Sequence, residues 1–378
     1  MQKEMPRSED MFGFADALGP DKIIHIWKPA LGLKAILVVD NVAAGPAIGG
    51  TRMAPDVSVE ECVRLARAMT FKNAAAGLPH GGAKSVIVGD PAMEPARKEE
   101  IIRAFAGAIA HVTDYIAGPD MGTNEVAMAW IKDEIGRSVG LPREIGGIPL
   151  DEIGVTGFGL SVAAEVAAPF CGLDLEGARI VVQGFGAVGK HAARFLGEKG
   201  AVLVGVSDSR GAIADESGID LAALAKIKEE GGHVGDYPRA KQITPEELVG
   251  LTCDIWIPAA RPDAITGENV DRLDCKLMLQ GANIPVTAEA EVRLAERGIL
   301  SVPDFVANAG GVICGAVEYR GGTQSGALAV IEEKIRYNTE RVLAGARERG
   351  CRPREAAVAL AEKRVRRAMT LRRGHREA

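Results

Sequence analysis

Two lysines, Lys72 and Lys84, bracket the segment FKNAAAGLPHGGAK (71–84), in which nearly every other residue is small or apolar. Two ammonium groups held close in a partly desolvated cleft depress each other's pKa, so one can act at neutral pH while the other binds an anion. Gly81-Gly82-Ala83 leads into Lys84 and reads as a loop whose backbone can approach a ligand. A third group, Asp120, lies in AGPDMGTNE, and a carboxylate beside two amines can exchange protons with a bound substrate. Further on, Gly184-Phe185-Gly186-Ala187-Val188-Gly189 follows an apolar run and opens a helical pattern, with Asp208 lying 24 residues past Gly184. In such a dinucleotide fingerprint the first glycine permits the turn and the second lets the backbone approach a pyrophosphate. The third lets helix and strand touch, and the helix N-terminus supplies the anion site. Asp208 can accept from a ribose 2′-hydroxyl, which favours NAD, while Ser207, Ser209 and Arg210 can cradle a 2′-phosphate; NAD and NADP both stay open. Together these groups suit hydride transfer on a carboxylate-bearing substrate, with protons shuttled by side chains.

The elements that must position these groups follow from pattern. Strand-like runs at 23–27 and 33–39 end in a turn-rich stretch, 41–50. Ser58-Val59-Glu60-Glu61 has capping-box spacing and opens a helix to about Ala76, with Gly77 after it. On that helix Cys62, Leu65, Ala68, Met69 and Ala76 share a stripe, and Lys72, seven residues after Leu65, projects from it, while Glu60, Arg64 and Arg67 face away. A lysine so placed can also snorkel its head into water. Strands at 85–88 and 115–117 flank a helix over 96–112. The Gly- and Pro-rich stretch 136–157 reads as a domain boundary. Beyond it strands at 179–183, 202–206, 254–258, 276–280 and 299–302 alternate with helical patterns, which implies a parallel, doubly wound sheet. The expected fold is α/β with two domains, residues 1–150 and a Rossmann-like 151–339, and 326–370 is helical by pattern.

Composition narrows the function classes. Of 378 residues 47% are hydrophobic and 25% charged, with a net charge of −6, which favours neither nucleic acid nor an anionic membrane as partner. The six cysteines form no CxxC pair and the six histidines are dispersed, so no metal site is expected and the thiols read as a reducing compartment. No run of about 18 consecutive apolar residues is present. A soluble, cytoplasmic protein is expected.

The chain resembles the glutamate/leucine/phenylalanine/valine dehydrogenase family. The resemblance rests on GPAIGGTRM (45–53), FKNAAAGLPHGGAK (71–84), GPDMGT (118–123), GVTGFG (154–159), GFGAVG (184–189), GANIPVT (281–287) and VPDFVANAGGV (302–312), in the family's order. It implies an N-terminal substrate and oligomerisation domain, joined again by the C-terminal helices from about 340 to 378, and a cofactor domain, with substrate in the cleft between them. It also implies a closed homo-oligomer, a hexamer or octamer. By position in the motifs, Lys72 resembles the lysine that holds the substrate α-carboxylate. Lys84 resembles the catalytic lysine that activates a water, and Asp120 the carboxylate that exchanges a proton with the amino group. Asn308 resembles the asparagine near that amino group, and Thr156 and Asn283 residues contacting the nicotinamide. The implied reaction is reversible oxidative deamination of an L-amino acid to a 2-oxo acid and ammonia.

Substrate choice turns on two positions. Glutamate-specific members place a lysine before the first GG, where this chain has Ile48 ahead of Gly49, and tend to carry a serine four residues after NAGG, where it has Gly315. A second carboxylate would lack partners there, so the pocket, with Val312 also expected to line it, is expected to prefer an apolar side chain: leucine, valine, isoleucine or phenylalanine. Against this, VSDSRG, GANIPVT and VPDFVANAGG look closer to glutamate enzymes. Glutamate dehydrogenase is one alternative and a non-catalytic nucleotide-binding paralogue another, although the latter has no need of Lys72, Lys84 and Asp120 together.

Overall fold

The computed structural model describes residues 12–372; the expected domain ends at 1–11 and 373–378 lie outside the described residues. The chain divides into two compact units, one of 12–74, 78–147 and 363–372, the other of 75–77 and 148–362.

The first unit carries a five-stranded sheet. Its strands are β1 (Lys22–Lys28), β2 (Leu33–Asn41), β3 (Ala47–Ala54), β4 (Gly82–Val88) and β5 (Tyr115–Pro119), in the order β1-β2-β4-β3-β5. The β1–β2 and β2–β4 pairs are antiparallel, and β3 runs parallel to both β4 and β5. Helices α2 (Pro95–Ala108) and α3 (Glu125–Ile135) bury Ile102, Phe105, Met128 and Ile131 with Leu37, Met53, Ile87 and Tyr115 of the sheet. Helix α1 (Val59–Ala75) belongs to a second cluster, in which Cys62 and Ala66 join Val38 and Val86. Strand alternation therefore assigns Ile48, Gly50, Arg52, Gly82, Lys84, Ile116, Gly118 and Asp120 to the α1 side of the sheet.

Two expectations change here. The stretch 41–50 is not all turn, because β3 begins at Ala47. Its glycines read as turn residues, yet a Cβ on Gly49 would lie 1.7 Å from the Ala83 carbonyl oxygen. Glycine is there so that a central strand can pack closely. Likewise Gly82 is the first residue of β4 rather than part of a loop. On α1 the capping contact forms, Glu61 N donating to Ser58 Oγ at 3.1 Å. The buried face is Cys62, Ala66, Thr70 and Asn73, while Leu65, Met69 and Lys72 are half-buried and Ala68 is exposed. The face is small and polar because the helix lies against glycine backbone: a Cβ on Gly82 would stand 2.0 Å from Thr70 N. Nor does Arg67 face water, since its Nε donates to both oxygens of the buried Asp40, at 2.9 and 3.0 Å.

The second unit carries seven strands in the order β12-β11-β10-β6-β7-β8-β9: β6 (Arg179–Gln183), β7 (Val202–Asp208), β8 (Gly211–Ala214), β9 (Lys241–Ile243), β10 (Ile255–Pro258), β11 (Leu277–Leu279) and β12 (Leu300–Val302). Five are parallel, as the alternating pattern predicts. The short β8 and β9 extend the sheet antiparallel past β7. Its helices are α4 (Leu150–Ile153), α5 (Val155–Ala167), α6 (Ala187–Gly197), α7 (Leu221–Glu229), α8 (Pro245–Val249), α9 (Ala288–Glu296), α10 (Asp304–Ala307), α11 (Gly310–Tyr319), α12 (Gln324–Arg349) and α13 (Pro353–Met369). Because α12 is unbroken, the chain rejoins the first unit at Lys363, inside α13, rather than near 340. The segment Leu150–Cys171 is long and apolar enough to cross a membrane by length and composition, although Asp151, Glu152 and Glu165 interrupt its apolar run. It is 61% buried, and α5 packs against α6, α11 and α12, so a core position explains its few charges.

Candidate active site

In the first unit Lys84, Asp120 and Arg52 come together. Lys84 stands on β4 with 5% of its surface exposed, and its Nζ pairs with Asp120 Oδ2 just past the end of β5. Arg52 on β3 donates from Nε to the same oxygen at 3.1 Å and pairs through its terminal nitrogen with Glu61 of α1. Burial by itself would raise the Asp120 carboxyl, but the Lys84 ammonium and then the Arg52 guanidinium outweigh it and hold it below the usual carboxylate range. Gly50 closes the group: a Cβ there would lie 2.8 Å from Asp120 Cβ and 3.1 Å from Lys84 Nζ. The loop after Asp120 is fixed by Thr123, whose hydroxyl donates to Thr51 O at 2.7 Å and accepts from Asp120 N at 3.0 Å.

The opposite face of the same strands holds a support. The fully buried Tyr115 hydroxyl contacts Ser85 Oγ at 2.9 Å and Thr51 Oγ1 at 3.2 Å and donates to Gly49 O at 3.1 Å. Burial pushes this phenol up to about 12, so it stays a neutral hydrogen-bonding strut. Asn73, next to Lys72, donates to Gly81 O at 2.6 Å and Ile48 O at 3.3 Å, tying α1 to the starts of β3 and β4. Ile48 is buried at 3% exposure, and Lys72 is half-buried on the flank of α1. Gly49, Gly81 and Gly82 meet the chain's own backbone: a Cβ at Gly81 would lie 1.7 Å from Asn41 O. Their need for glycine is thus one of packing. Arg52 is a site residue that the sequence motifs do not single out, because 41–50 reads as turn and no strand is expected to run on to Ala54. Alternation along Ile48, Gly50 and Arg52 is the signal that finds it.

The second unit brings the fingerprint residues together at the C-terminal end of β6. Gly184 has φ +98° and its Cβ would lie 2.8 Å from Ala260, while Gly189 presses α6 onto the turn, its Cβ falling 2.0 Å from Gly184 O. At Gly186 a Cβ would meet nothing within 4 Å, and no side chain caps the N-terminus of α6 there. Space beside a positive helix end is what a pyrophosphate needs, so these residues fit a dinucleotide. Ala187 is exposed and Val188 half-buried, whereas the Phe185 side chain is buried at 3%; Ser207, also buried, accepts through its carbonyl from Gly184 N and Phe185 N. A cavity of about 780 Å³ opens beside the turn, lined by Gly186, Ala187, Lys190, Arg194 and Lys228 among others.

Asp208 ends β7. Burial would raise its carboxyl, but Lys228 Nζ at 2.7 Å and the Arg210 and Val234 backbone amides, each at 2.9 Å, lower it. Asn308, 4% exposed, follows α10 and donates from Nδ2 at 3.2 Å to Gly281 O, Ala282 O and Asn283 Oδ1. Its buried Oδ1 has no hydrogen-bond partner among the described residues, an acceptor left for a donor from outside the chain. Thr156 on α5 lies against the next glycines, since a Cβ on Gly311 would be 3.5 Å from its Oγ1. Val312 and Gly315 follow on α11, half-buried and buried. No cluster of three or more metal-ligating side chains occurs among the described residues.

A buried ammonium–carboxylate pair in one unit and a dinucleotide turn on a doubly wound sheet in the other define an NAD(P)-dependent dehydrogenase. Residues 24–137 match the family described as Glu/Leu/Phe/Val dehydrogenase, dimerisation domain, and residues 146–373 that described as Glutamate/Leucine/Phenylalanine/Valine dehydrogenase. The chain belongs to this family and is an amino-acid dehydrogenase acting on a CH–NH2 group. It is 38% identical to a glutamate dehydrogenase of Aeropyrum pernix, covering 98% of this chain and 96% of that protein. It is also 38% identical to an NADP-specific glutamate dehydrogenase of Saccharolobus shibatae, over 78% of this chain and 72% of that one. Among solved structures, the hetero-hexameric glutamate dehydrogenase of Thermus thermophilus in its Leu-bound form superposes with a TM-score of 0.84 at 30% identity, covering 93% of this chain and 90% of that one. These relatives are glutamate dehydrogenases, whereas Ile48 and Gly315 set the expectation of an apolar substrate.

Proposed function

We propose that this protein catalyses the reversible, NAD(P)-dependent oxidative deamination of L-glutamate to 2-oxoglutarate and ammonia. The observation that carries the chemistry is the buried Lys84–Asp120 pair, and the likeness to glutamate dehydrogenases carries the substrate. Lys72 binds the α-carboxylate as a point charge. Asp120 takes a proton from the substrate ammonium, and in the second unit Asn308 Oδ1 is an acceptor that suits an amino group. When bound, the nicotinamide supplies an acceptor for the hydride of the α-carbon. Lys84, as the neutral amine, then takes a proton from a water as its oxygen adds to the resulting substrate iminium, and the two side chains pass protons until ammonia leaves. Gly186 and the start of α6 hold the pyrophosphate, Thr156 and Asn283 the nicotinamide end, and Val312 and Gly315 border the substrate side chain.

Asp208 and Lys228 are the pair on which cofactor choice turns. Ion pairing with Lys228 leaves the carboxylate less able to repel a 2′-phosphate, which supports use of NADP alongside NAD. A closed oligomer is supported by the dimerisation-domain match and the hexameric relative, and a cytoplasmic location by six free thiols.

A panel of L-amino acids against NAD⁺ and NADP⁺, followed through the reduced cofactor, tests substrate and cofactor together; glutamate turnover no better than leucine turnover overturns the substrate assignment. The buried, uncharged Ile48 favours that second, apolar reading. Lys84→Ala should lower kcat by about 10²–10⁴-fold, and Lys72→Ala should mainly raise KM for the amino acid.

A further inference from the structure

Four side chains of alternating charge run in series through the first unit: Lys84, Asp120, Arg52 and Glu61. The two cations address one oxygen of Asp120, and Gly50 leaves no side chain between them. This geometry answers a difficulty in the reaction. Lys84 has to be a neutral amine before it can take a proton from water, and without a second cation a carboxylate with only 16% of its side chain exposed would then lose its counter-charge and take up a proton before the substrate delivers one. Arg52 cannot lose its charge in a protein, and its side chain is 17% exposed, so its attraction is little screened. Glu61, 31% exposed on α1, draws on the other end of the same guanidinium.

We propose that Arg52 is a positioning residue that keeps Asp120 ionised until the substrate ammonium delivers its proton, whatever the charge on Lys84, and that Glu61 moderates its pull. The inference rests on the roles assigned above to Lys84 and Asp120. Two other titratable groups beside the pair are silent over the working range. Cys62 of α1, whose thiol contacts Lys84 O, is pushed up to about 12 by burial, and Tyr115 of β5 also stands at about 12.

The test is the pH dependence of kcat/KM, whose acid limb reports protonation of the essential carboxylate in the free enzyme. Arg52→Gln should move that limb upward by about one pH unit, and Arg52→Lys should restore most of the shift by returning a charge. Glu61→Gln should move it the other way, downward, because Arg52 is then shared with no other acid. Opposite displacements cannot come from general loosening of the site. A limb unmoved in Arg52→Gln, or moved the same way in both variants, overturns the proposal. The Asp120 carboxyl resonance, titrated by ¹³C NMR in the same proteins, gives the comparison without turnover. A wild-type enzyme with no amino-acid-dependent reduction would sink the functional assignment, while the resonance would still decide the role of Arg52.

Discussion

The glycines of the two units answer to different demands. Around the buried ion pair they are filled by the protein itself: a Cβ at Gly49, Gly81 or Gly82 would collide with Ala83 O, Asn41 O or Thr70 N. In the dinucleotide turn Gly184 and Gly189 are filled in the same way, but Gly186 faces open space. One residue type thus serves either to bring strand and helix into contact or to leave room for a ligand, and sequence spacing alone does not separate the two. The charges divide as well. The first unit uses buried side-chain charges that must be matched in pairs, whereas the turn of the second offers backbone amides at a helix end, which need no counter-charge until a phosphate arrives.

Substitutions that treat the glycines alike should therefore give unlike results. Gly82→Ala should have the largest effect on folding, destabilising the protein by about 3 kcal/mol because backbone rather than a flexible side chain must move; denaturant unfolding measures it, and a normal midpoint would show the packing argument to be wrong. Gly189→Ala should follow, with lost stability and lost cofactor binding together, since its Cβ would strike Gly184 O. Gly186→Ala should leave stability within about 0.5 kcal/mol of wild type while raising KM for the dinucleotide, and parallel thermal melts and kinetics separate the two quantities.

The smallest expected effect is in pH. The folded Asp120 carboxyl lies below its unfolded value, so its stabilising contribution is present above the ordinary carboxylate range and is lost as pH falls through the folded value. Asp120→Asn should flatten the acid side of the stability–pH curve, and an unchanged slope would mean that the pair does not stabilise the fold. In the second unit Asp208→Ala should change the ratio of NADP⁺ to NAD⁺ use, since the groups that hold its carboxylate belong to a separate cluster.

Much of this was legible in the sequence because it depends on local spacing. Gly184, Gly186 and Gly189 with the apolar runs around them specify a strand–turn–helix, and Asp208 closes the pattern at the end of the next strand. The Ser58 cap and the extent of α1 were equally local. The face of α1 was not. A stripe through Leu65, Met69 and Lys72 is the most apolar choice, but the sheet beneath is glycine backbone, which accepts the small and polar Cys62, Ala66, Thr70 and Asn73 at close range. β3 was hidden for the same reason, since glycines that favour turns in isolation also let a central strand pack between neighbours.

The sequence by itself determined the chemistry available: two lysines and an aspartate ahead of a dinucleotide turn, in motifs that assign the chain to a family of amino-acid dehydrogenases. Only the tertiary structure decided how those charges are held. Arg52, Glu61, Lys84 and Asp120 come from two strands, a loop and a helix, and their contact follows from parallel register and strand alternation across sequence separations that no local pattern spans. A buried charge is tolerable only when matched, and the match is made by neighbours in space rather than in sequence.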